Sequence, residues 1–432
     1  MPLRTPPRTA ETEAAARDGA RAGALRGARA LRGAGALRRA GAPRGAGARG
    51  GRRRRRRGFA ALAVAAALVA GTGGWAAGSA QTAVTGPAPG AAAWRADHTL
   101  GRPLPDPATA SPAAVARFFA GLTGAQRQRL AERHPLTVGT LDGAPVELRY
   151  RANARALRAE RARQDARAHD PSRTAEDRSR ARARAARCTE LLAPGRQILF
   201  FDPRGRGQVA EVYGDLGAAR RTAVVVPGSD IDLGTFDRQR DRYGTPTGMA
   251  VSLRARMAAD APATPTAVIA WAGYTTPVGL GPDAATGRLA EAGAGRLARL
   301  LSGLAATGAP APALLCHSYG SVVCGLAAPR AGRAAVGDVI LFGSPGARTE
   351  RAADLHAGGR VWAARDASDW IGDIPNVEVL GLGHGTDPTD PAFGARRVAA
   401  DRAEGHTGYL VPGTDSLAGF ADIVLGRYSD VR

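Results

Sequence analysis

Apolar and polar residues follow two different patterns on either side of residue 196. Residues 113–190 carry apolar side chains at a spacing near 3.6 within arginine-rich segments, which predicts helices. Beyond residue 196, short apolar runs alternate with Ala- and Leu-rich stretches of helix length. These runs predict strands: RQILFFD, QVAEVYG, TAVVVPG, TAVIAWAG, ALLCHSYG, VGDVILFGSPG, RVWAAR and VEVLGLG. The first two are spaced like a hairpin, and the later ones suit a mostly parallel, doubly wound α/β sheet behind a helical N-terminal extension.

The region before these helices has a different composition. Residues 1–57 are rich in Arg, Ala and Gly and lack aromatic residues, which predicts a disordered tail. Six arginines then precede an apolar run over residues 59–77, so segment 58–80 is interpreted as a signal peptide or membrane anchor. The alternative is a buried core helix. Residues 81–112 are predicted to be a linker. The helical extension is predicted to span residues 113–190, and the main domain residues 191–432.

The net charge of +22 raises the hypothesis of nucleic-acid binding, but the charge is unevenly distributed. Residues 1–57 hold 17 arginines against three acidic residues, which leaves about +8 for the remainder. A nucleic-acid-binding protein would need a basic face on the folded domain as well. We therefore expect no nucleic-acid partner.

Candidate chemistry centres on the stretch ALLCHSYGSVVCG, Ala313 to Gly325. A strand followed by a tight turn and a helix would place Ser318 at the carboxyl end of a central strand, where sites form in such sheets. In the nucleophile elbow G-x-S-x-G the serine is held in a strained turn. Gly320 matches the second glycine, while Cys316 replaces the first as another small residue. An ordinary turn that contains a serine is the alternative.

The cysteines do not predict disulfides. Cys188, Cys316 and Cys324 make an odd count with no metal-ligand spacing, and the latter two are interpreted as small core residues.

A nucleophilic serine needs a base and an oriented acid. Of the histidines after Ser318, His406 lies just before the last predicted helix and is favoured over His384, while His356 is expected to be structural or exposed. Asp366 and Asp369 both follow the strand RVWAAR. Asp369 is favoured because apolar Ile371 follows it closely.

Acyl transfer also needs N–H donors for the developing oxyanion. The Tyr319 amide, next to the candidate nucleophile, is one. The loop VVVPGSDIDLGTFD would supply the second from Ser229 or Asp230, with Ser229 as the first choice, and Gly228 would let the chain approach.

Several segments together resemble a known family: LTVGTLDGAPVELRYRANARAL, VVVPGSDIDLGTFD, AWAGYTTP, CHSYGSVVCG, GTDPTDPAFGA and GHTGYLVPGTDSLAGFADIVLG. Across residues 110–426 they are similar to a bacterial alpha/beta-hydrolase family catalogued as domain of unknown function 1023. The resemblance implies an alpha/beta-hydrolase fold and a site of Ser318, Asp369 and His406. That family usually has glycine at the position of Cys316.

These features predict an exported or membrane-tethered serine hydrolase that cleaves carboxylic esters of small molecules or lipids. We expect no metal or organic cofactor, and contact with the membrane through residues 59–77 if that segment is not cleaved. The alternative is a catalytically inactive hydrolase fold that acts as a binding module at the cell envelope.

Overall fold

The computed structural model describes residues 80–432. The predictions of a disordered tail at 1–57 and of a signal peptide or anchor at 58–80 therefore lie outside the described residues, apart from Ala80. Within residues 80–432, no helix is both long enough and apolar enough to cross a bilayer.

Helices form the first part of the described chain, in agreement with the spacing of the apolar residues. They are α1 (Ala91–Arg95), α2 (Pro112–Ala120), α3 (Gly124–Arg133), α4 (Pro135–Thr140), α5 (Val146–His169) and α6 (Ala175–Leu191). Side-chain oxygens of Ser111, Thr123 and Thr174 accept hydrogen bonds from the first turns of α2, α3 and α6, which satisfies amides that have no partner inside the helix. Residues 81–112, expected to be a linker, pack against the domain, and Trp94 is fully buried beside α2 and α3.

The main sheet has eight strands in the order β1-β2-β4-β3-β5-β6-β7-β10. Its strands are β1 (Gln197–Asp202), β2 (Gln208–Gly214), β3 (Arg221–Val226), β4 (Thr266–Ala272), β5 (Ala313–His317), β6 (Val339–Phe342), β7 (Val361–Ala364) and β10 (Arg396–Arg397). The β1–β2 and β2–β4 pairs are antiparallel, and the other pairs are parallel. The predicted α/β fold and its opening hairpin are confirmed.

Helices cover both faces of this sheet. They are α7 (Pro246–Asp260), α8 (Pro282–Ala285), α9 (Arg288–Ala306), α10 (Gly320–Ala331) and α11 (Asp415–Leu425). Successive residues of β3 point to opposite faces: Val225 packs on the side of α7 and α11, and Val224 on the side of α9 and α10. Burial on both faces explains why the parallel strands are continuous apolar runs.

Short 3-10 segments complete the connections. They are Arg242–Gly244, Arg333–Ala335, Ala352–Leu355, Trp370–Asp373, Pro391–Phe393 and Gly405–Leu410.

The run VEVLGLG was predicted as a strand of the main sheet, and that prediction is wrong. It forms a separate small hairpin of β8 (Glu378–Val379) and β9 (Leu382–Gly383). Leu380 and Gly381 between the strands have φ values of 52° and 82°, which suits a two-residue hairpin turn. This turn ends the extended run after two residues, too early for a sheet strand.

Candidate active site

Ser318 occupies the sharp turn between β5 and α10. Its φ of 54° lies in the left-handed region, which is uncommon for residues other than glycine and typical of a nucleophile elbow. The Ser318 amide donates to the Phe342 carbonyl at 3.1 Å, which fixes the turn against β6. The side chain is partly exposed at the carboxyl end of the central strand, as the sequence predicts.

Gly320 is required by the close approach of α10 to β3. A Cβ at this position would lie 2.3 Å from the Val226 carbonyl oxygen and 2.8 Å from that of Pro227. Because both neighbours are backbone atoms, a larger side chain would displace the turn. The second glycine of the elbow therefore has a steric function, while the buried Cys316 occupies the first position.

The prediction that Cys316 and Cys324 are unbonded core residues is wrong. Both are fully buried, but they form a disulfide bond, with their Cα atoms 6.3 Å apart. Cys316 lies near the end of β5 and Cys324 one turn into α10, so the helix returns over the strand and the two side chains meet. The bond ties the strand and the helix together on either side of Ser318. Cys188 is buried and has a free thiol.

His406 and Asp369 lie in contact at the same edge of the sheet. His406 Nδ1 donates to Asp369 Oδ1 at 2.8 Å, so the acceptor lone pair of the neutral ring is left on Nε2. The Ile371 amide also donates to Asp369 Oδ1, at 2.9 Å. Burial alone would raise the pKa of the Asp369 carboxyl, but the hydrogen bonds it accepts outweigh burial and lower that pKa below its ordinary value.

Tyr409 is a site residue that the sequence analysis missed. Its hydroxyl donates to Asp369 Oδ2 at 2.6 Å and accepts from the Asp366 amide at 3.0 Å. Burial, together with the Asp369 carboxylate, raises the pKa of Tyr409, which keeps the hydroxyl protonated as a donor. Its position three residues after His406 in GHTGYL was the only available signal.

Asp366, the other acid candidate, has a different function in the structure. Its carboxylate accepts from the amide and the hydroxyl of Ser368, and that hydroxyl in turn accepts from the Gly405 amide at 2.9 Å. Asp366 thus orders the turn that presents Asp369 and links it to the segment carrying His406. Within the described chain, its carboxylate makes no hydrogen bond to a histidine.

Ser318 and His406 face the same edge, but no hydrogen bond joins Ser318 Oγ to the His406 ring in the described residues. The His406 ring stands between the rings of His317 and Trp370, with centroid distances of 4.8 and 4.6 Å. Hydrogen bonds to a nucleophile are often long before substrate binds. The structure thus joins His406 to Asp369, while the predicted contact between His406 and Ser318 stays a prediction.

His317, directly before Ser318, holds the backbone of His406. Its Nε2 donates to the His406 carbonyl at 2.7 Å, which places the proton on that nitrogen because a carbonyl only accepts. Burial, reinforced by repulsion from His406, lowers the pKa of His317 to about 3. The neutral ring therefore packs beneath His406 without adding a competing charge.

The predicted oxyanion donors flank Ser318. Within residues 80–432, neither the Tyr319 amide nor the Ser229 amide has a hydrogen-bond partner, whereas the Asp230 amide donates to the Pro277 carbonyl at 2.9 Å. Of the two candidates in this loop, the Asp230 amide is therefore occupied and the Ser229 amide is free to donate within that range. A Cβ on Gly228 would lie 3.0 Å from Ser318 Oγ and 3.2 Å from the Tyr319 amide nitrogen, so glycine keeps this space open.

The two other histidines that follow Ser318 in the sequence lie outside this arrangement. His384 Nε2 donates to the Ala284 carbonyl at 2.7 Å, its ring contacts that of Tyr319 edge-on, and burial lowers its pKa to about 4. His356 is exposed at the end of a 3-10 turn. Neither contacts a carboxylate within the described residues, and His384 is a neutral support for Tyr319.

Two concave regions of the surface lie at different distances from the candidate site. A cavity of about 290 Å³ between the helical extension and α9 is lined by Arg296 and Arg299 and includes none of Ser318, Asp369 and His406. A cleft of about 440 Å³ borders Thr407, next to His406. No cluster of three or more metal-binding side chains occurs within residues 80–432.

Comparison with known proteins agrees with the topology. Residues 202–379 match the family model described as alpha/beta hydrolase. The fold is that of an alpha/beta hydrolase. The finer resemblance to the family catalogued as domain of unknown function 1023 stays a prediction.

Similar sequences occur in mycobacteria. The chain is 31% identical over 382 residues to the uncharacterized protein Rv2079 of Mycobacterium tuberculosis, covering 75% of this chain and 57% of that protein. It is 34% identical over 183 residues to the uncharacterized protein Rv0963c, covering 40% of this chain and 66% of that protein. The chain thus spans a little over half the length of the first of these relatives.

Similar solved structures are remote. A 2,6-dihydroxy-pseudo-oxynicotine hydrolase has 13% identity and a TM-score of 0.33, covering 80% of this chain and 95% of that one. A fungal esterase from Rhizomucor miehei has 10% identity and a TM-score of 0.32, covering 64% of this chain and 96% of that one.

Proposed function

We propose that this alpha/beta hydrolase is a serine hydrolase that cleaves carboxylic esters through an acyl-enzyme on Ser318. The observation that carries the proposal is the 2.8 Å hydrogen bond between Asp369 and His406, at the same sheet edge as a serine held at φ 54°. Each of the three side chains alone has an ordinary structural explanation. Their convergence beside two amides without partners favours nucleophilic catalysis.

In the proposed mechanism, His406 Nε2 takes the proton of Ser318 as Oγ attacks the ester carbonyl. Asp369 holds His406 in the required tautomer and stabilises its charged form. The amides of Tyr319 and Ser229 donate to the oxyanion. His406 then protonates the leaving alcohol, and an activated water releases the acid.

We also propose that the hydrolase domain functions outside the cytoplasm, either secreted or anchored to the membrane. Six arginines followed by the apolar run 59–77 are typical of an export signal or an anchor. The Cys316–Cys324 disulfide supports the same location, because such bonds persist mainly in oxidising compartments. Fractionation of cells that express the full chain tests this; recovery only in the cytoplasm, with both thiols reduced, would contradict it.

The test of the activity is turnover of p-nitrophenyl esters of increasing acyl length by the full chain. Ser318→Ala should lower turnover by roughly a thousandfold or more, because the acyl-enzyme cannot form. Ser302→Ala, in the partly exposed part of α9, is the matched control and should leave turnover unchanged. Equal activity of Ser318→Ala and the wild type would refute the mechanism.

The second candidate function is a binding module that keeps the fold without the chemistry. It is favoured by one observation: no hydrogen bond joins Ser318 Oγ to His406 within the described residues. A wild-type chain that folds and hydrolyses no ester, and whose Ser318 does not react with phosphonates, would decide for this candidate.

A further inference from the structure

The large apolar side chains that are exposed are confined to three loops. Within residues 80–432 they are Val278, Leu280, Trp370, Val377, Val379, Leu380 and Leu382, here called the apolar rim. Leu380 is 99% exposed and Leu280 is 70% exposed. Single exposed apolar residues are common in proteins, but seven restricted to three loops mark an interaction surface.

The first two loops of the rim connect directly to the candidate active site. The loop with Val278 and Leu280 is held to Asp230, next to the oxyanion donor Ser229: the Asp230 amide donates to the Pro277 carbonyl, and its carboxylate accepts from the Gly279 amide at 2.8 Å. The Trp370 ring lies against His406. These parts of the rim therefore border the oxyanion loop and the base.

The third loop is the β8–β9 hairpin, which is attached on the nucleophile side. Leu382 bridges to Thr286, and the Thr286 carbonyl accepts from the Tyr319 hydroxyl at 2.7 Å. Arg348 donates to the carbonyls of Gly381 and Gly383 at 2.6 and 3.2 Å and pairs with Glu378 at 3.1 Å. Each of the three loops thus connects to a candidate site residue or to its neighbour in the chain: the first to Asp230, the second to His406 and the third, through Thr286, to Tyr319.

Leu380 at the hairpin tip is an unusual choice of residue. Its φ of 52° lies in the left-handed region that hairpin turns of this type normally fill with Asn, Asp or Gly. A leucine is unfavourable at this position for two reasons: the left-handed backbone conformation strains a residue with a side chain, and the apolar side chain is fully exposed to water. A binding partner that receives the side chain would explain both features.

The described chain starts close to the first loop of the rim. The Gln81 amide donates to Asp283 Oδ2 at 2.5 Å, and its carbonyl accepts from Arg288 at 2.7 Å. Gln81 is thus bound to Asp283, a residue that follows Leu280 by three positions in the chain. In the sequence, three residues separate Gln81 from the end of the apolar run 59–77. If that run is the predicted anchor, it joins the domain beside the rim.

We propose that the apolar rim docks on the surface of a lipid bilayer and that the substrate is a long-chain ester of a bilayer lipid. This inference rests on the proposed function. A bilayer both covers the rim and supplies the ester to Ser318. A protein partner or a second copy on the same surface would instead close the entrance to the site.

The test compares two substrates with the full chain reconstituted in phosphatidylcholine vesicles. One is soluble p-nitrophenyl acetate, and the other is a fluorogenic long-chain ester carried in the vesicles. The double variant Leu280→Asp/Leu380→Asp should hydrolyse the vesicle ester at least tenfold more slowly than the wild type, with the soluble rate within about twofold. An anchor at 59–77 is common to both proteins, so the difference reports on the rim.

Ala305→Asp is the matched control, because it adds the same charge at an exposed position near the end of α9, at the opposite edge of the sheet. It should change neither rate, and Leu380→Phe, which stays apolar, should retain vesicle hydrolysis. A double variant that loses no more vesicle activity than Ala305→Asp would overturn the lipid inference and leave the hydrolase intact. So would a change in sedimentation mass without a change in vesicle activity, which would indicate a second copy on the rim. A wild-type chain inactive on soluble esters would instead refute the proposed function.

Discussion

Replacing a candidate acid by its amide should greatly lower turnover at Asp369 and barely change it at Asp366. Asp369 Oδ1 accepts from His406 Nδ1, and its other oxygen accepts from Tyr409. An asparagine of the same shape removes the negative charge, and its NH2 group can turn to His406 Nδ1. The His406 ring then carries its proton on Nε2, and this nitrogen can no longer accept the proton of Ser318.

The magnitude follows from what each carboxylate contacts. In a serine triad, this change lowers turnover by about ten-thousandfold, which corresponds to about 5.5 kcal/mol of transition-state stabilisation. We expect a loss of that order for Asp369→Asn. Asp366→Asn keeps an oxygen that can accept from the Ser368 amide, now 2.8 Å from the carboxylate, so its turnover should stay within about threefold.

The assay is kcat/KM for p-nitrophenyl butyrate, with thermal unfolding of each variant as the control for folding. A severe loss of kcat/KM in Asp366→Asn alone would identify Asp366 as the acid. Near-normal turnover in both folded variants would refute the assignment of an acid to this site and support the binding module.

Three further predictions concern the residues around the site. Tyr409→Phe should lower the free energy of unfolding at pH 7 by roughly 1.5–3 kcal/mol, the usual contribution of a hydrogen bond to a charged group. Because hydrogen bonds lower the pKa of Asp369 in the folded state, their stabilisation is lost as pH falls, so urea titrations should show this difference shrinking below pH 4. Burial holds the pKa of His317 near 3, below its unfolded value, so stability should fall from about pH 6.5 toward pH 3. One titrating group changes the free energy of unfolding by at most about 1.4 kcal/mol per pH unit, and His317→Gln should reduce the slope of that free energy against pH. If the slope is unchanged in the variant, groups other than His317 cause it. Cys324→Ser should lower the free energy of unfolding by about 2–3 kcal/mol, and dithiothreitol should reproduce the loss only in the wild type; no effect of either would argue against the disulfide.

The strands β3 to β7 could be predicted because burial on both faces makes each one a continuous apolar run. The elbow could be predicted for a related reason: Gly320 and Cys316 are small because α10 and β3 approach closely there. Both signals are local in sequence and report directly on packing.

The choice between Asp366 and Asp369 was harder, because a single turn contains both. The Asp369 amide donates to the Asp366 carbonyl at 3.2 Å, so the two side chains leave the turn in different directions. Ile371, which is buried, returns the chain to the core directly after Asp369, in line with the reasoning that favoured this residue. Only the structure shows that the Asp366 carboxylate accepts hydrogen bonds from Ser368.

The disulfide and Tyr409 could not be read from residue spacing. Cys316 and Cys324 meet because a helix begins immediately after the strand, and the sequence gives no measure of the angle between them. Tyr409 reaches Asp369 across 40 residues of chain. The hairpin at 378–383 was misassigned because its apolar residues resemble a core strand, although they are exposed.

Mass spectrometry of the full chain after reaction with a fluorophosphonate tests directly whether Ser318 is the nucleophile. We expect one adduct, on the peptide that contains Ser318, and its complete loss in Ser318→Ala. We also expect much slower labelling in His406→Ala, because the base is missing. A folded wild-type chain that forms no adduct, or that forms it on another serine at an undiminished rate in Ser318→Ala, would contradict the assignment of Ser318 as the nucleophile.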